Sequence, residues 1–114
     1  MISKKRNPRV YLQDMLSAIA KVEVYIKEGE RPFFADGKTQ DAVIRQISIV
    51  GEAAAKLPSS LRTKHPEIPW RKIIGMRNII VHDYSETDLP TVWTVAVRDL
   101  PALKGAIAAM IKSL

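Results

Sequence analysis

Apolar residues recur at spacings of three and four in four segments of this chain, and this pattern predicts helices rather than strands. Residues three or four apart share one face of a helix, so each stripe can be buried against a neighbouring helix. The stripes are Leu12, Leu16, Ile19, Val22 and Ile26; Val43, Ile47, Val50, Ala54 and Leu57; Ile73, Met76, Ile80 and Tyr84; and Val92, Trp93, Ala96, Leu100, Leu103, Ile107, Met110 and Ile111. We therefore predict an all-α bundle with short connections and antiparallel neighbours.

Residues typical of helix ends bound these segments. They are Asn7, Pro8 and Gly29 around the first helix, Thr39 and Pro58 around the second, Pro69 before the third, and Thr87 and Asp88 before the fourth. Residues 30–38 contain Pro32 and Gly37 and are predicted to form a loop, and residues 59–68 to hold a short helical turn. Pro101 lies inside the last apolar stripe, which predicts a kink or break near Asp99.

Ile79-Ile80-Val81 could also form a strand, because all three side chains are β-branched. The sequence offers no second strand candidate to pair with it, and a lone strand is not stable. We therefore assign this run to the third helix.

Length and composition narrow the class of protein. The 114 residues are expected to form one domain, residues 1–114. No apolar run approaches the about 20 residues that span a bilayer, and no secretory signal follows the basic start. Cysteine is absent and only two histidines are present, so no metal-ligand spacing occurs. The sequence also has no glycine-rich phosphate loop. Together these observations lead us to expect a cytoplasmic protein without membrane association, metal or cofactor.

Positive charge gathers before and within the third helix. The net charge of +6 comes from 18 Lys and Arg against 12 Asp and Glu. Between residues 62 and 77, Glu67 is the only acidic residue among several basic ones. This distribution favours a polyanionic partner, and ordinary solvation of helix surfaces is the alternative explanation.

The segment from Arg77 to Tyr84 contains the residue types needed to cut RNA without a metal. Arginine binds phosphate through a bidentate fork and stays charged, and histidine transfers protons near neutral pH. On an ideal helix Arg77 and His82 point about 140° apart, whereas Asn78 and His82 share a face. Arg77 and His82 could reach one phosphate if the helix bends near His82 or if two copies face each other. We favour the dimer.

Structural roles could also account for these residues. His82 could stabilise the C-terminus of the helix by about 0.3–1 kcal/mol through the helix dipole, and Tyr84 could be a core aromatic residue. Trp70 and Trp93 are expected to be packing residues, and His65 a surface residue.

The second helix contains small residues at 53–55, which would let a neighbouring helix approach closely. Glu52 follows Gly51 in the same apolar stretch and could be a partly buried carboxylate paired with Arg77 or Arg45. A structural role is expected for it.

Three stretches of the chain carry a family resemblance. The longest is Ile68-Pro69-Trp70-Arg71-Lys72-Ile73-Ile74-Gly75-Met76-Arg77-Asn78-Ile79-Ile80-Val81-His82-Asp83-Tyr84, with an Arg-x4-His-x-Tyr signature at its end. The others are Ile49-Val50-Gly51-Glu52-Ala53-Ala54 and Val92-Trp93 followed by Asp99-Leu100-Pro101. In this order and at these distances, they resemble the HEPN-domain proteins of the HepT-like toxin family over nearly the whole chain.

The resemblance implies a HEPN-like bundle of four to five helices that forms homodimers or higher oligomers, with the active site in the dimer cleft. It implies a metal-independent endoribonuclease whose partner is an MntA-like minimal nucleotidyltransferase antitoxin. Arg77 and His82 would be the catalytic pair, and Asn78 a supporting polar residue. Tyr84 would carry the hydroxyl to which the antitoxin adds AMP groups.

Other functions fit the same sequence. A weakly catalytic or non-catalytic HEPN domain would bind nucleotide or RNA in the same cleft as the partner of a nucleotidyltransferase. A basic helical module would bind DNA, with an affinity that survives loss of His82 and falls steeply with salt. A structural dimer would use the polar helix end only as a cap.

Overall fold

The computed structural model describes residues 7–80 and 88–114, and every regular element in these residues is helical. The elements before the gap are α1 (Pro8–Tyr25), α2 (Glu30–Ala35), α3 (Gly37–Ala55), α4 (Ser59–Thr63), α5 (Trp70–Gly75) and a 3₁₀ helix (Met76–Ile80). Those after it are α6 (Leu89–Thr94), a π turn (Val95–Asp99) and α7 (Leu100–Ser113). The all-α prediction is confirmed, and α4 supplies the short helical turn expected after Pro58.

The core forms around α3, which contacts α1, α5 and the 3₁₀ helix, while α1 also contacts α7. The predicted stripes supply most of the buried side chains, because their spacing places them on the inward faces. The fully buried large residues include Leu12, Met15, Ile19, Val22, Phe33, Val43, Ile47, Val50, Val92, Leu100, Ile107 and Met110. Within the described residues, no helix is both long enough and apolar enough to cross a bilayer.

Local capping signals give the starts of several helices. The Asn7 side chain accepts a hydrogen bond from the Arg9 amide at 2.9 Å, and Pro8 occupies the first turn of α1, as predicted. Asp88 caps α6 by accepting from the Thr91 amide at 3.3 Å. Thr87, the other predicted residue there, lies outside the described residues.

The predicted cap of α3 was wrong by three residues. Asp36 caps this helix through the Lys38 amide at 3.2 Å, and the Thr39 hydroxyl donates to the other Asp36 carboxylate oxygen at 2.7 Å. The Thr39 hydrogen bond stabilises the charged carboxylate and lowers the pKa of Asp36 below its ordinary value of 3.8. The resulting stabilisation is present above that ordinary pKa and is lost as the pH falls through the lowered one.

Residues 30–35 form α2, so the predicted loop over 30–38 was wrong. The helix starts after Gly29, whose φ of 102° suits glycine, and buries Phe33 to 1% exposure. The Phe33 ring lies 5.2 Å from the ring of Trp93, and Gln40 Nε2 donates to the carbonyl of Phe33 at 3.0 Å. Trp93 is far from Phe33 in the sequence and Gln40 is seven residues away, and both contacts stabilise a helix too short to form alone.

The third predicted helix is not one regular α-helix. It changes at Met76 from α5 into a 3₁₀ helix, which has three residues per turn instead of 3.6. The angle of about 140° predicted between Arg77 and His82 assumed an ideal α-helix, and the 3₁₀ segment departs from it. The backbone of Ile79 and Ile80 is helical, in agreement with rejection of a strand, whereas Val81 lies outside the described residues.

The predicted break near Asp99 is confirmed, and it takes the form of the π turn. The Leu100 amide donates to the carbonyl of Val95, five residues earlier, and Pro101 follows in the first turn of α7. Proline has no amide hydrogen to donate, so a widened turn accommodates it without ending the helical path.

Candidate functional site

The structure places Arg77 and Asn78 next to each other on the 3₁₀ helix, and both side chains are exposed. His82 and Tyr84, the other predicted site residues, lie outside the described residues. The juxtaposition of Arg77 with His82 therefore stays a prediction.

Backbone packing against α3 fixes the base of the Arg77 side chain. A Cβ atom added to Gly51 would lie 2.7 Å from the amide nitrogen of Arg77 and 3.0 Å from the carbonyl oxygen of Ile73. It would also lie 3.2 Å from the Cβ of Arg77. Only glycine leaves room for this approach, because the nearest atoms belong to backbone that cannot rotate away. Arg77 thus starts from a tightly packed position and reaches into solvent.

The close approach was expected at the small residues 53–55. Ala53 and Ala54 are indeed buried, but Gly51 is where the backbones of α3 and the third helical segment come into contact. Gly51 stands in one of the three motif stretches, directly after Val50 and three residues before Ala54, both of which are in the predicted inward stripe. This position beside the stripe is the feature of the sequence that could have indicated a close helix contact at Gly51.

Trp70 anchors the start of α5. Its indole N–H donates to the carbonyl oxygens of Arg62 and His65, both at 3.0 Å, and this joins the end of α4 to the start of α5. Further along this segment, the side chains of Ile73 and Met76 are buried in the core, with exposures of 2% and 5%. The expected packing roles of Trp70 and Trp93 are confirmed. His65 is half-buried in the connecting segment, with its Nδ1 3.5 Å from a Glu67 carboxylate oxygen.

The guanidinium groups of Arg71 and Arg77 have no acidic partner among residues 7–80 and 88–114. The predicted pairing of Glu52 with Arg77 or Arg45 was wrong, since Glu52 is exposed and forms no ion pair in this part of the chain. An exposed guanidinium without a carboxylate partner can accept phosphate as its partner. Lys72 differs, because its ammonium lies 3.3 Å from a carboxylate oxygen of Asp99.

A cleft of about 230 Å³ opens between α5 and α7, and we refer to it as the α5–α7 cleft. Ile73 and Met76 line it from one side and Leu103 from α7, and the charged lining residues are Glu67, Lys72 and Asp99. Sequence reasoning did not identify this cleft, although Asp99-Leu100-Pro101 was one of the motif stretches. Its walls come from helices about 30 residues apart in the sequence, which periodicity alone cannot join.

Metal-ligating side chains do not cluster in the part of the chain that the structure describes. No group of three or more His, Cys, Asp or Glu residues in residues 7–80 and 88–114 is arranged to hold a metal ion.

Comparison with known proteins gives consistent matches. A family profile described as "Ribonuclease HepT-like" matches residues 15–110. The "Probable ribonuclease HepT" of Thermococcus cleftensis is 40% identical over 102 residues, covering 89% of this chain and 93% of that protein. A "Putative RNase" of Methanocaldococcus jannaschii is 34% identical over 111 residues, covering 96% of both chains.

A second protein of Methanocaldococcus jannaschii, named "Gamma-glutamylcyclotransferase and putative RNase", is 38% identical over 111 residues. The match covers 96% of this chain and 50% of that protein, so this chain corresponds to half of its length. No solved structure matches the chain at a significant level.

Proposed function

This chain belongs to the ribonuclease HepT-like family, and we propose that it is a metal-independent endoribonuclease toxin that cuts RNA at a site shared by two copies of the chain. One observation carries the proposal most directly. Arg77 is exposed, unpaired within the described residues, and fixed at its base against Gly51. His82 follows five residues later in the sequence.

The proposed reaction is attack of a ribose 2′-oxygen on the adjacent phosphorus. The O2′–P bond forms, the P–O5′ bond breaks, and the products are a 2′,3′-cyclic phosphate and a 5′-hydroxyl. His82 takes the proton from the 2′-hydroxyl or supplies one to the leaving 5′-oxygen, each role being available to one of two copies. Arg77 stabilises the negative charge that builds on the phosphate oxygens. Asn78, adjacent to Arg77, supports this pair by hydrogen bonding.

A dimer suits this chemistry for electrostatic reasons. A phosphodiester in its transition state carries more charge than one guanidinium neutralises, and a twofold axis doubles the number of arginines and histidines. Arg71 adds positive charge one to two helical turns before Arg77, and it too lacks an acidic partner in the described residues. The combined surface would attract a polyanion.

Replacement of one ribose by deoxyribose tests the reaction directly. In a defined RNA cut at one linkage, a single 2′-deoxy nucleotide on the 5′ side of that linkage should abolish cleavage there, because the nucleophile is missing. Gel electrophoresis and mass spectrometry would follow the fragments and identify the cyclic phosphate. Excess EDTA should leave the rate unchanged. Cleavage at the deoxy position, or a loss of activity that magnesium restores, would contradict the mechanism.

Mixing two inactive variants tests whether the site is shared. If Arg77 of one copy acts with His82 of the other, a dimer of one Arg77→Ala chain and one His82→Ala chain retains one such pair. Equal mixing should restore some activity, at most about a quarter of the wild-type rate, since half of the dimers are mixed and each keeps one of two pairs. Differently tagged chains would verify that mixed dimers form. Mixed dimers without activity would favour a site contained in one chain.

We also propose that an MntA-like nucleotidyltransferase inactivates the protein by adding AMP groups to Tyr84. The added bulk and negative charge beside Arg77 and His82 would exclude RNA from the site. Incubated with the nucleotidyltransferase and ATP, Tyr84→Phe should keep its mass and its ribonuclease activity, whereas the wild-type chain gains AMP and loses activity. Tyr25→Phe, which changes an exposed tyrosine on α1, is the matched control and should still be modified. Modification of Tyr84→Phe would place the acceptor elsewhere.

A further inference from the structure

The α5–α7 cleft is lined by the residue that precedes Arg77 in the chain. This residue is Met76, and the Cα atoms of Met76 and Arg77 are about 3.8 Å apart. An RNA strand whose phosphate contacts Arg77 therefore has the cleft within reach of a neighbouring nucleotide. Lys72, which also lines the cleft, is 55% exposed on its side chain and adds a positive charge there.

The cleft has a largely apolar lining that includes three charged residues, Glu67, Lys72 and Asp99. Ile73, Met76 and Leu103 belong to the buried core and present hydrocarbon to the cavity. Lys72 and Asp99 form an ion pair in this lining, whereas the Glu67 side chain is 67% exposed and lies 3.5 Å from His65 Nδ1. A nucleobase likewise combines apolar faces with a polar edge, and single-stranded RNA is commonly recognised through such edges. The volume of about 230 Å³ is below the about 300 Å³ typical of the smallest pockets for drug-sized molecules, which suits a single base.

Asp99 has free hydrogen-bonding capacity. Its side chain is 17% exposed, with one oxygen 3.3 Å from Lys72 Nζ and the other 3.3 Å from Arg98 Nε. An ionised carboxylate has about four acceptor sites, so each oxygen can take one further donor. The carboxylate donates nothing while ionised, and it therefore selects for an edge that presents donors.

We infer that the α5–α7 cleft binds a guanine base of the RNA substrate, with the Asp99 carboxylate accepting hydrogen bonds from the guanine N1–H and 2-amino group. Guanine alone among the four RNA bases presents two adjacent donors on its Watson–Crick edge. Adenine and cytosine place a ring acceptor beside their amino group, and uracil flanks its single N–H with two carbonyls, so each would bring an acceptor towards the carboxylate. The inference rests on the proposed ribonuclease function and adds a base preference beside the scissile linkage.

Binding of mononucleotides tests the inference without any cleavage. The four 5′-nucleoside monophosphates would be titrated into protein labelled at isoleucine, leucine and methionine methyl groups, with NMR detection. GMP should shift the signals of Ile73, Met76 and Leu103 and bind at least about tenfold more tightly than AMP, CMP or UMP, as expected for a bidentate contact to one base. Equal affinity for all four, or shifts confined to other residues, would overturn the inference.

Two substitutions separate recognition from structural support. Asp99→Asn keeps the shape but replaces one acceptor by a donor, so the preference for GMP should disappear. Lys72→Gln removes the same ion pair and leaves the carboxylate, so the preference should remain. A preference that survives Asp99→Asn, or that Lys72→Gln removes to the same extent, would contradict the assignment.

A third variant fills the cleft and leaves Asp99 intact. Ala102 is an exposed residue of α7 that lines the cleft, so Ala102→Leu should reduce the affinity for GMP about tenfold or more without unfolding the protein. Urea denaturation would confirm the stability of each variant. Unchanged GMP binding by Ala102→Leu would place the nucleotide elsewhere. Mononucleotides contain no linkage to cut, so their binding tests the guanine site independently of the proposed ribonuclease activity. Cleavage of RNA without any base preference would overturn the guanine site and leave the proposed ribonuclease activity intact.

Discussion

Replacing His82 with alanine is expected to lower the rate of RNA cleavage by about 10²- to 10⁴-fold, the usual contribution of a positioned proton-transfer group. The variant loses the group that takes the 2′-hydroxyl proton or protonates the leaving oxygen, while the positive charge of Arg77 remains. RNA binding should therefore change much less than the cleavage rate. Single-turnover cleavage of a defined RNA, together with filter binding of an uncleavable 2′-deoxy analogue, would measure the two effects separately.

His65 provides the matched control, because the chain has only two histidines. Its side chain lies in the segment between α4 and α5 and contacts Glu67. The Trp70 indole is bound by the backbone carbonyl of His65, which the substitution leaves in place. His65→Ala should retain the wild-type rate. Circular dichroism and light scattering would verify that His82→Ala keeps its helices and its oligomeric state. Full activity in His82→Ala would exclude the proposed proton transfer.

Replacing Gly51 with alanine is expected to destabilise the protein by about 1–3 kcal/mol, the usual range for overpacking a tight interior site. The new methyl group would lie 2.7 Å from the Arg77 amide nitrogen, so α3 and the 3₁₀ helix must move apart. Because small displacements of a positioning group cost up to about 10²-fold in rate, cleavage should fall by about tenfold to a hundredfold. Urea denaturation would measure the stability, and single-turnover kinetics the rate.

Gly105→Ala is the control for the general effect of a glycine substitution in a helix. Gly105 lies in α7 with no atom within 4 Å of an added Cβ, so alanine should stabilise the protein by up to about 1 kcal/mol and leave cleavage unchanged. A Gly51→Ala variant as stable and as active as the wild type would show that the approach of α3 to Arg77 is looser than the structure indicates.

The sequence allowed prediction of features that depend on neighbouring residues. The caps at Asn7 and Asp88 use amides two or three positions away, and Pro101 disrupts hydrogen bonding within its own helix. The inward stripes of α1, α3 and α7 follow from helical periodicity, which is a local property. For the same reason, the all-α class could be inferred without knowing how the helices pack.

Features that depend on distant contacts could not be predicted in this way. The helix at residues 30–35 depends on the packing of Phe33 against the distant Trp93, in addition to the nearer hydrogen bonds that Gln40 donates to the carbonyls of Phe33 and Phe34. The ion pairs Lys72–Asp99 and Glu23–Lys104 join helices that are far apart in the sequence. Pro32 and the flanking glycines favoured a loop in the sequence, and tertiary packing overrode that preference.

In the candidate site, too, some features follow from neighbouring residues and others from contacts between distant parts of the chain. The residue types of the segment from Arg77 to Tyr84 are sufficient to suggest phosphate chemistry, because that inference needs only side-chain chemistry and spacing. The close contact with Gly51, the absence of an acidic partner for Arg77 in the described residues, and the adjoining α5–α7 cleft all arise from the packing of separate helices. The wrong pairing of Glu52 illustrates why, since sequence proximity to Gly51 did not fix the direction of that side chain.

The π turn at Val95–Asp99 joins α6 to α7. It holds one residue more than an α-helical turn but rotates the chain by about the same angle, so the extra residue does not change which side of α7 faces α1. Deleting a single residue from this turn should therefore restore a regular α-helical turn and leave exposed residues such as Lys104 in solvent. Length variation within the HepT-like family should be tolerated in the connecting segments and at this turn, and excluded within the helices that pack together.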